Sequence, residues 1–350
     1  NERDRRQCDC GVMLPRMNKI AGRISDALPL PSGARLSGEY LTTIFDDFPD
    51  AIFQYQVVQD QDYSIQVNYV PNTSYANLEH DKALVLQRLR EQLDPARLSG
   101  TVVLVHLANL AGFHGRRIAL NPRDEKNLNR EFPGDVAGTA TEQLAHFFTT
   151  EIISVTDYLI DLHSGSAYQT LLPHAYSPVL HDAALDARTL AFARATGLGH
   201  IVLYDERPTD PDNSVSYPNT AQTRDKPALT LEIGQLGQRD EAAIAQVVNA
   251  CLRALRHLDM LTEALPPVGD AQLYDKLVYV SSTATGLFHP RSKVGEHVEP
   301  GTLLGVVTDY FGETLEELRA PVAGTLLKLL ETPAGTAGER PATIAILLAA

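Results

Sequence analysis

The amino-acid sequence predicts an α/β fold in which helices flank a mixed, mainly parallel sheet, followed by a small all-β domain. Four short apolar runs predict strands, at residues 101–109, 155–165, 200–204 and 228–234. Helical patterns come before and between these runs and after the last of them, at residues 81–93, 139–153, 184–196 and 239–261. Strands that alternate with helices are typical of a parallel sheet covered by helices on both faces.

The sequence changes character near residue 266, where ALPPVG interrupts a helical pattern. After this point, short Val- and Leu-rich runs come with glycines and prolines and show almost no helical period. That combination indicates a small all-β domain. We therefore predict an unassigned N-terminal extension over residues 1–36, an α/β domain over residues 37–266 and a C-terminal β domain over residues 267–350.

Composition excludes several classes of protein. The 350 residues carry 30 Lys plus Arg against 44 Asp plus Glu, a net charge of −14 that repels a phosphate backbone and argues against nucleic-acid binding. Three cysteines, Cys8, Cys10 and Cys251, are too few and too poorly spaced for a disulfide framework. No apolar run approaches the roughly 18 residues of a membrane span, and the N-terminus lacks the apolar centre of a secretory signal. We expect a cytoplasmic protein with no membrane partner.

Polar residues that directly follow predicted strands are candidates for chemistry, since open α/β sheets bind ligands at the carboxyl ends of their strands. In DYLIDLHSG, Asp161 and His163 stand two residues apart and so on one side of a strand. Such a pair suits a metal ligand and the carboxylate that orients it, or simply a satisfied histidine near a turn. In ALTLEIG, Glu232 closes a strand that is otherwise apolar, where it either caps a structure or acts as an acid or base.

Two further segments contain clustered polar residues. NPRDEKNLNREFPG includes Asn129 and Arg130, and its density of amide and guanidinium groups suits a carboxylate ligand or a solvated loop. YANLEHDKAL places Glu79 and His80 just before a helix, where acidic residues are favoured for helix stability alone.

Taken in order, these segments resemble the succinylglutamate desuccinylase and aspartoacylase family, a branch of the zinc carboxypeptidase-like hydrolases. The resemblance covers residues 60–345, and NLNREFPG and IDLHSG are its most specific parts. It implies a zinc carboxypeptidase-like fold for the α/β domain. The segment GEHVEPGTLLGVVTDYFGETLEELRAPVAGTLL also resembles the C-terminal β domain of that family.

The resemblance assigns roles where residues agree. Glu232 would be the general base and Arg117 would polarise the scissile carbonyl. Asn129, Arg130 and Asn109 would bind the substrate. The reaction would be metal-dependent hydrolysis of an amide in an N-acylated amino acid or a similar small carboxylate. The family also suggests a homo-oligomer.

The expected cofactor is Zn²⁺, with His163 and Glu79 as ligands. Counting back from LSGTVV, however, the family's His-Gly-Asp-Glu falls on ANLE, so that Ala76 stands where the resemblance expects the first ligand histidine, and zinc hydrolases normally use three protein ligands. Three interpretations stay open. His80 or His106 replaces the missing ligand; the chain is a degenerate relative that binds an acyl amino acid or peptide without hydrolysing it; or the register near residue 76 differs and the metal site is ordinary.

The C-terminal segments KVGEHVEPGTLLGVV and APVAGTLL also resemble one half of a biotinyl or lipoyl carrier hammerhead. A carrier needs a lysine at the exposed hairpin tip, and the intervening TDYFGETLEEL contains none. We therefore expect a structural or oligomer-building role for this domain.

Overall fold

The computed structural model describes residues 84–262 and 265–349, together with four strands nearer the N-terminus. The chain divides into two compact units, residues 1–82 and 83–350. In the first unit, β1 (Leu28–Pro29) pairs antiparallel with β2 (Arg35–Leu36), and β3 (Ile52–Gln59) pairs antiparallel with β4 (Ile65–Pro71).

The second unit contains the predicted alternation of helices and strands. The α-helices among its described residues are α1 (Leu84–Gln92), α2 (Leu110–His114), α3 (Ala140–Phe147), α4 (Ala183–Ala195), α5 (Tyr217–Gln222) and α6 (Glu241–His257). The strands before residue 266 are β5 (Leu120–Asn121), β6 (Lys126–Asn127), β7 (Leu159–His163), β8 (Gln169–Leu171), β9 (His174–Pro178), β10 (His200–Tyr204) and β11 (Ala228–Glu232). The structure therefore confirms three of the four predicted strands.

The strands after residue 266 are β12 (Gln272–Val280), β13 (Gly286–Pro290), β14 (His297–Val298), β15 (Leu303–Thr308), β16 (Thr314–Arg319), β17 (Gly324–Leu330), β18 (Ala334–Gly335) and β19 (Ala342–Leu347). A nine-stranded sheet has the order β14-β17-β19-β12-β10-β9-β11-β7, with β8 also paired to β17. The pairs β7–β11, β9–β10 and β10–β12 are parallel, whereas β9–β11 is antiparallel. A separate antiparallel sheet has the order β16-β15-β13-β18. The large sheet thus continues across residue 266 through β12.

The predicted strand over residues 101–109 is wrong. Residues 101–109 form no strand, and the chain bends at His106 and Ala108. Burial alternates along them, with Val103 and Val105 exposed and Leu104 packed against the main core. The segment therefore has the period of a strand without a described sheet edge to complete its backbone hydrogen bonds.

Helix α3 begins with a cluster of charges. Glu142 Oε2 accepts a hydrogen bond from Thr139 N at 2.6 Å, which caps the helix. Lys126 Nζ lies 2.7 Å from Glu142 Oε1 and 3.1 Å from Glu131 Oε2.

The helical path then continues through a π-helical turn, Phe148–Ile152, and a short 3-10 turn, Ile153–Val155. The prediction of helix to residue 153 is therefore right in extent, although its last turns are not α-helical.

The main core lies between the large sheet and helices α1, α4 and α6. Ile201, Leu229 and Leu231 are fully buried on β10 and β11, and Phe192 packs against them from α4. Strands buried on both faces are expected to be mostly apolar, and β11 (ALTLE) is buried along its whole length with Thr230 and Glu232 as its two polar residues. Within the described residues, no helix is both long enough and apolar enough to cross a bilayer.

The Lys126–Glu142 pair predicts how stability depends on pH. The hydrogen bond from Lys126 lowers the pKa of Glu142 from 4.5 to about 2. A carboxyl whose pKa is lower in the folded state stabilises the fold above its unfolded value and loses that effect as the pH falls. We expect Glu142→Gln to reduce the free energy of unfolding at pH 7, with the difference from the parent shrinking between pH 4.5 and about 2. Urea unfolding across this range measures it, with Glu206→Gln at an exposed position as the control.

Candidate active site

Two predicted site residues meet at the carboxyl edge of the large sheet. Strands β7 and β11 are parallel neighbours, and their register aligns Glu232 with His163. Both residues end their strands, so both side chains stand where an open α/β sheet binds its ligands. The fold therefore brings together the Asp-Leu-His segment and the Leu-Glu-Ile segment.

Asp161 lies beside His163 on the same strand. Asp161 Oδ2 is 2.9 Å from His163 Nε2, as the two-residue spacing predicts. The negative charge of Asp161 raises the pKa of His163 to about 9, and Glu232 contributes in the same direction. When the Nε2–H donates to Asp161, Nδ1 is the ring nitrogen left for a metal ion or a substrate. The side chain of His163 is 37% exposed, so a ligand can reach it.

Asn129 connects the NLNREFPG loop to this pair. Its Nδ2 lies 3.3 Å from Asp161 Oδ2 and 3.3 Å from His163 Nε2. Its Oδ1 accepts a hydrogen bond from the backbone N–H of Tyr217 at 2.8 Å. Asn129 therefore joins three segments that are far apart in the sequence.

The rest of the same loop explains why NREFPG has this composition. Phe132 is buried and its ring stacks on that of Tyr217, with 5.2 Å between centroids. Gly134 has φ +88°, and a Cβ built on it would lie 2.0 Å from the backbone nitrogen of His146. Only glycine fits such a position without strain. The aromatic anchor and the glycine together fix the end of the loop against α3.

Glu232 is buried and has an unpredicted partner. Lys328 Nζ, from β17, lies 3.3 Å from Glu232 Oε1. The same ammonium group is 5.6 Å from the centroid of the Tyr176 ring. A strand that follows residue 266 thus contributes a positive charge directly to the candidate general base.

The other predicted site residues lie elsewhere or outside the described part. Arg117 is exposed and pairs with Glu125. Asn109 caps α2 through a hydrogen bond from Gly112 N to its Oδ1 at 3.0 Å. His106 is exposed on the extended segment before α2. The structure therefore brings none of these three into contact with His163 or Glu232, and their proposed roles stay predictions.

Two predicted metal ligands, Glu79 and His80, and the position Ala76 lie outside the described residues. Within the described residues, no three His, Cys, Asp or Glu side chains are grouped so that they could hold a metal ion. The described part of the chain thus offers His163 as a candidate ligand but no complete metal site.

Sequence reasoning missed several residues around this site: Tyr176, Tyr204, Tyr217 and Lys328. Lys328 had a usable signal, because it interrupts the mostly apolar strand GTLLKLL. Tyr204, whose ring packs against Tyr176, had a weaker one, since it is the last residue of a mostly apolar strand. Tyr176 lies inside β9 and Tyr217 begins α5, and neither stands out from the local pattern.

Comparison with known proteins identifies the family. Residues 79–258 match the succinylglutamate desuccinylase/aspartoacylase catalytic domain. The Nα-acetyl-L-2,4-diaminobutyric acid deacetylase of Halomonas elongata is 30% identical over 236 residues, which cover 66% of this chain and 67% of that protein.

Solved structures show the same fold. A succinylglutamate desuccinylase from Silicibacter sp. TM1040 superposes with a TM-score of 0.70 at 22% identity, covering 86% of this chain and 96% of that one. The product-bound ectoine utilization protein EutE (DoeB) from Ruegeria pomeroyi also gives 0.70 at 22% identity, covering 85% and 96%. At this level of identity, these two similarities establish the fold alone.

The hydrogen bonds of Asn129 predict a structural effect. Asn129→Ala removes the acceptor for Tyr217 N and the donor to Asp161, so we expect a loss of about 1 to 3 kcal/mol in the free energy of unfolding. Urea unfolding measures this. Asn213→Ala, at an exposed position, is the matched control and should cost less than about 0.5 kcal/mol. Equal stability of the two variants would contradict a connecting role for Asn129.

Proposed function

Because this chain belongs to the succinylglutamate desuccinylase/aspartoacylase family, we propose that it hydrolyses the amide bond of an N-acylated amino acid and releases the acyl group. The observation that carries the proposal is the register that sets Glu232 beside His163 at the carboxyl edge of the sheet. A buried carboxylate next to an accessible imidazole suits proton transfer during amide hydrolysis.

Glu232 acts as the general base in this proposal. Its carboxylate takes a proton from the attacking water and delivers it to the departing amine nitrogen. Lys328 holds Oε1 through the 3.3 Å ion pair, so that the other oxygen, Oε2, is free to face the water. Burial of Glu232 among strands keeps bulk water from competing for that oxygen.

Arg130 and Asn129 serve the substrate side of the same site. The planar guanidinium of Arg130 can bind a carboxylate through two parallel hydrogen bonds. Its Nη1 already donates to Asn129 O at 2.6 Å, which fixes the position of the side chain relative to the loop. Asn129 in turn touches Asp161 and His163, so the carboxylate of a bound amino acid lies near the reacting amide.

We further propose that the enzyme uses Zn²⁺, with His163 Nδ1 as one ligand. Bound zinc would polarise the scissile carbonyl and lower the pKa of water. Among the described residues no complete metal site is grouped around this imidazole. The family resemblance names Glu79 as a further ligand, with His80 or His106 as the candidate third.

A second candidate function is binding without hydrolysis. Ala76 stands where the family pattern has a ligand histidine, and loss of one ligand weakens a zinc site. The protein would then bind an acyl amino acid or peptide through the same loop and release it unchanged. The two functions differ in turnover and in metal content.

Loss of the proposed base predicts a loss of turnover. Glu232→Gln keeps the shape of the side chain but cannot accept a proton, so we expect the rate of amide hydrolysis to fall by about 10² to 10⁴. Release of acetate from Nα-acetyl-L-2,4-diaminobutyric acid measures this rate. Glu206→Gln serves as the control. Hydrolysis by Glu232→Gln at the parent rate would remove Glu232 from the mechanism, and no hydrolysis by the parent would favour the binding function.

The zinc proposal predicts the metal content of the protein. The parent, purified with zinc present and then dialysed, should retain zinc, and His163→Ala should lose it because an imidazole ligand is removed. Elemental analysis per chain gives the result. His146→Ala, on α3, is the matched histidine control. Equal zinc in the parent and His163→Ala would reject His163 as a ligand, and a metal-free parent would support binding without hydrolysis.

A further inference from the structure

We propose that Tyr176 is a positioning residue for the general base and that it acts through Lys328. The ring of Tyr176 fixes the ammonium group of Lys328, and Lys328 in turn fixes the carboxylate of Glu232. This inference rests on the proposed function, because it takes Glu232 as the base. It adds a residue whose effect on the reaction passes through a second side chain.

The pairing of β9 with β11 sets Tyr176 on the face of the sheet that carries Glu232. The antiparallel register aligns Glu232 with His174, which stands two residues before Tyr176. Residues directly opposite each other share a face of a sheet, and so do residues two apart on one strand. The rings of His174 and Tyr176 accordingly meet edge to face, with 4.7 Å between their centroids. Tyr176 therefore stands beside the base on the neighbouring strand.

A bulge in β17 turns Lys328 toward the same place. From Leu326 to Lys328, β17 advances by two residues while its partner β19 advances by one. Leu326 and Leu329 pack in the core of the C-terminal strands, whereas Leu327 belongs to a separate cluster that Tyr176 joins. In a regular strand, alternation would place Lys328 on the side of Leu326. The extra residue places it instead on the side of Tyr176, as bulges near active sites commonly do.

The ammonium group of Lys328 is held from two sides. Its Nζ lies 3.3 Å from Glu232 Oε1 and 5.6 Å from the centroid of the Tyr176 ring. The side chains of Lys328 and Glu232 are 21% and 12% exposed, so solvent screens this ion pair less than a surface pair. An aromatic ring attracts a cation within about 6 Å of its centroid, and more strongly when water is excluded. The ring therefore restricts where the ammonium group lies, and so where Oε1 lies.

His174 supports the Tyr176 ring without adding a charge. It is fully buried, and its Nδ1–H donates to the backbone oxygen of Leu172 at 2.7 Å. Burial, and after it the charge of Lys328, lowers the pKa of His174 to about 3. The imidazole is therefore neutral at pH 7 and does not compete with Lys328 for the charge of Glu232.

The test separates turnover from substrate binding. Values of kcat and KM come from acetate release, measured as for Glu232→Gln. A misplaced base lowers kcat and leaves substrate binding in place, and a displacement of about 1 Å costs up to about 100-fold. Lys328→Met should therefore lower kcat about 10- to 100-fold and change KM less than about twofold. Lys328→Arg keeps the charge and should restore part of that loss.

A matched pair of variants tests the ring itself. Tyr176→Leu removes the aromatic face and should lower kcat about tenfold, whereas Tyr176→Phe keeps the face and should stay within about twofold of the parent. Tyr176→Leu and Lys328→Met combined should lower kcat by less than the product of their separate effects, because one acts through the other. With Glu232→Gln already present, neither change should reduce the remaining rate further.

Controls separate this role from a structural one. Lys276→Met removes an exposed lysine from β12 and should leave kcat unchanged. Urea unfolding establishes that each variant is folded, and elemental analysis establishes that its metal content equals that of the parent. Lys328→Gln and Tyr176→Met replace Lys328→Met and Tyr176→Leu if either does not fold.

Three results would overturn the inference: parent-level kcat in Lys328→Met, the same kcat in Tyr176→Leu as in Tyr176→Phe, or effects that multiply in the double variant. Failure of the proposed function is a separate observation, namely absence of acetate release by the parent, and it would also remove the base that these residues position.

Discussion

The parallel pairing of β7 with β11 is the constraint on which the candidate site depends. It sets two strand ends side by side, and the register Glu232↔His163 fixes which side chains meet there. A shift of one residue in either strand would turn the side chains of that strand to the opposite face of the sheet. Leu229 and Leu231 of β11 are fully buried in the main core, so a slip of β11 would also turn Thr230 and Glu232 into that core. The same register of β7 and β11 therefore serves both the packing of the core and the geometry of the site.

The NLNREFPG loop adds a second level of organisation. One end of its backbone is fixed by two contacts. The ring of Phe132 stacks on that of Tyr217, and Gly134 packs closely against the backbone of α3. At the other end, Asn129 bonds the strand-end pair and the start of α5. The loop can thus hold Arg130 in a defined position although it has little regular structure. A side chain that is already held in position loses less conformational entropy when it binds a ligand.

The sequence was sufficient for the features that depend on local pattern. Strand ends carrying Asp161, His163 and Glu232 were predictable because an apolar run that stops at a polar residue marks both the strand and its end. Contacts that form through tertiary packing were not predictable. Lys328 stands out because it interrupts a mostly apolar strand, but nothing in the sequence shows that this distant strand brings it to Glu232.

One expectation failed and another stayed open. The role of Arg117 was taken from the resemblance to the family and stays a prediction; in the structure the neighbouring Arg116 and Ala119 have positive φ values of 51° and 60°, and Arg117 pairs with Glu125. Residues 101–107 have the alternation of a strand but form none. There the local pattern was real, and the path of the backbone decided its outcome.

Charge explains why the site needs residues from so many segments. Asp161 and Glu232 place two negative groups close to one histidine, and this concentration would be unfavourable without cations nearby. Lys328 compensates Glu232 directly, and the charge of Glu232 and Asp161 acts on His163. Arg130, by contrast, has no ion pair with a described carboxylate, and its Nη1 donates to the backbone oxygen of Asn129. The strand-end carboxylates are thus compensated by described residues from other segments, which is why their positions depend on the packing of the whole sheet.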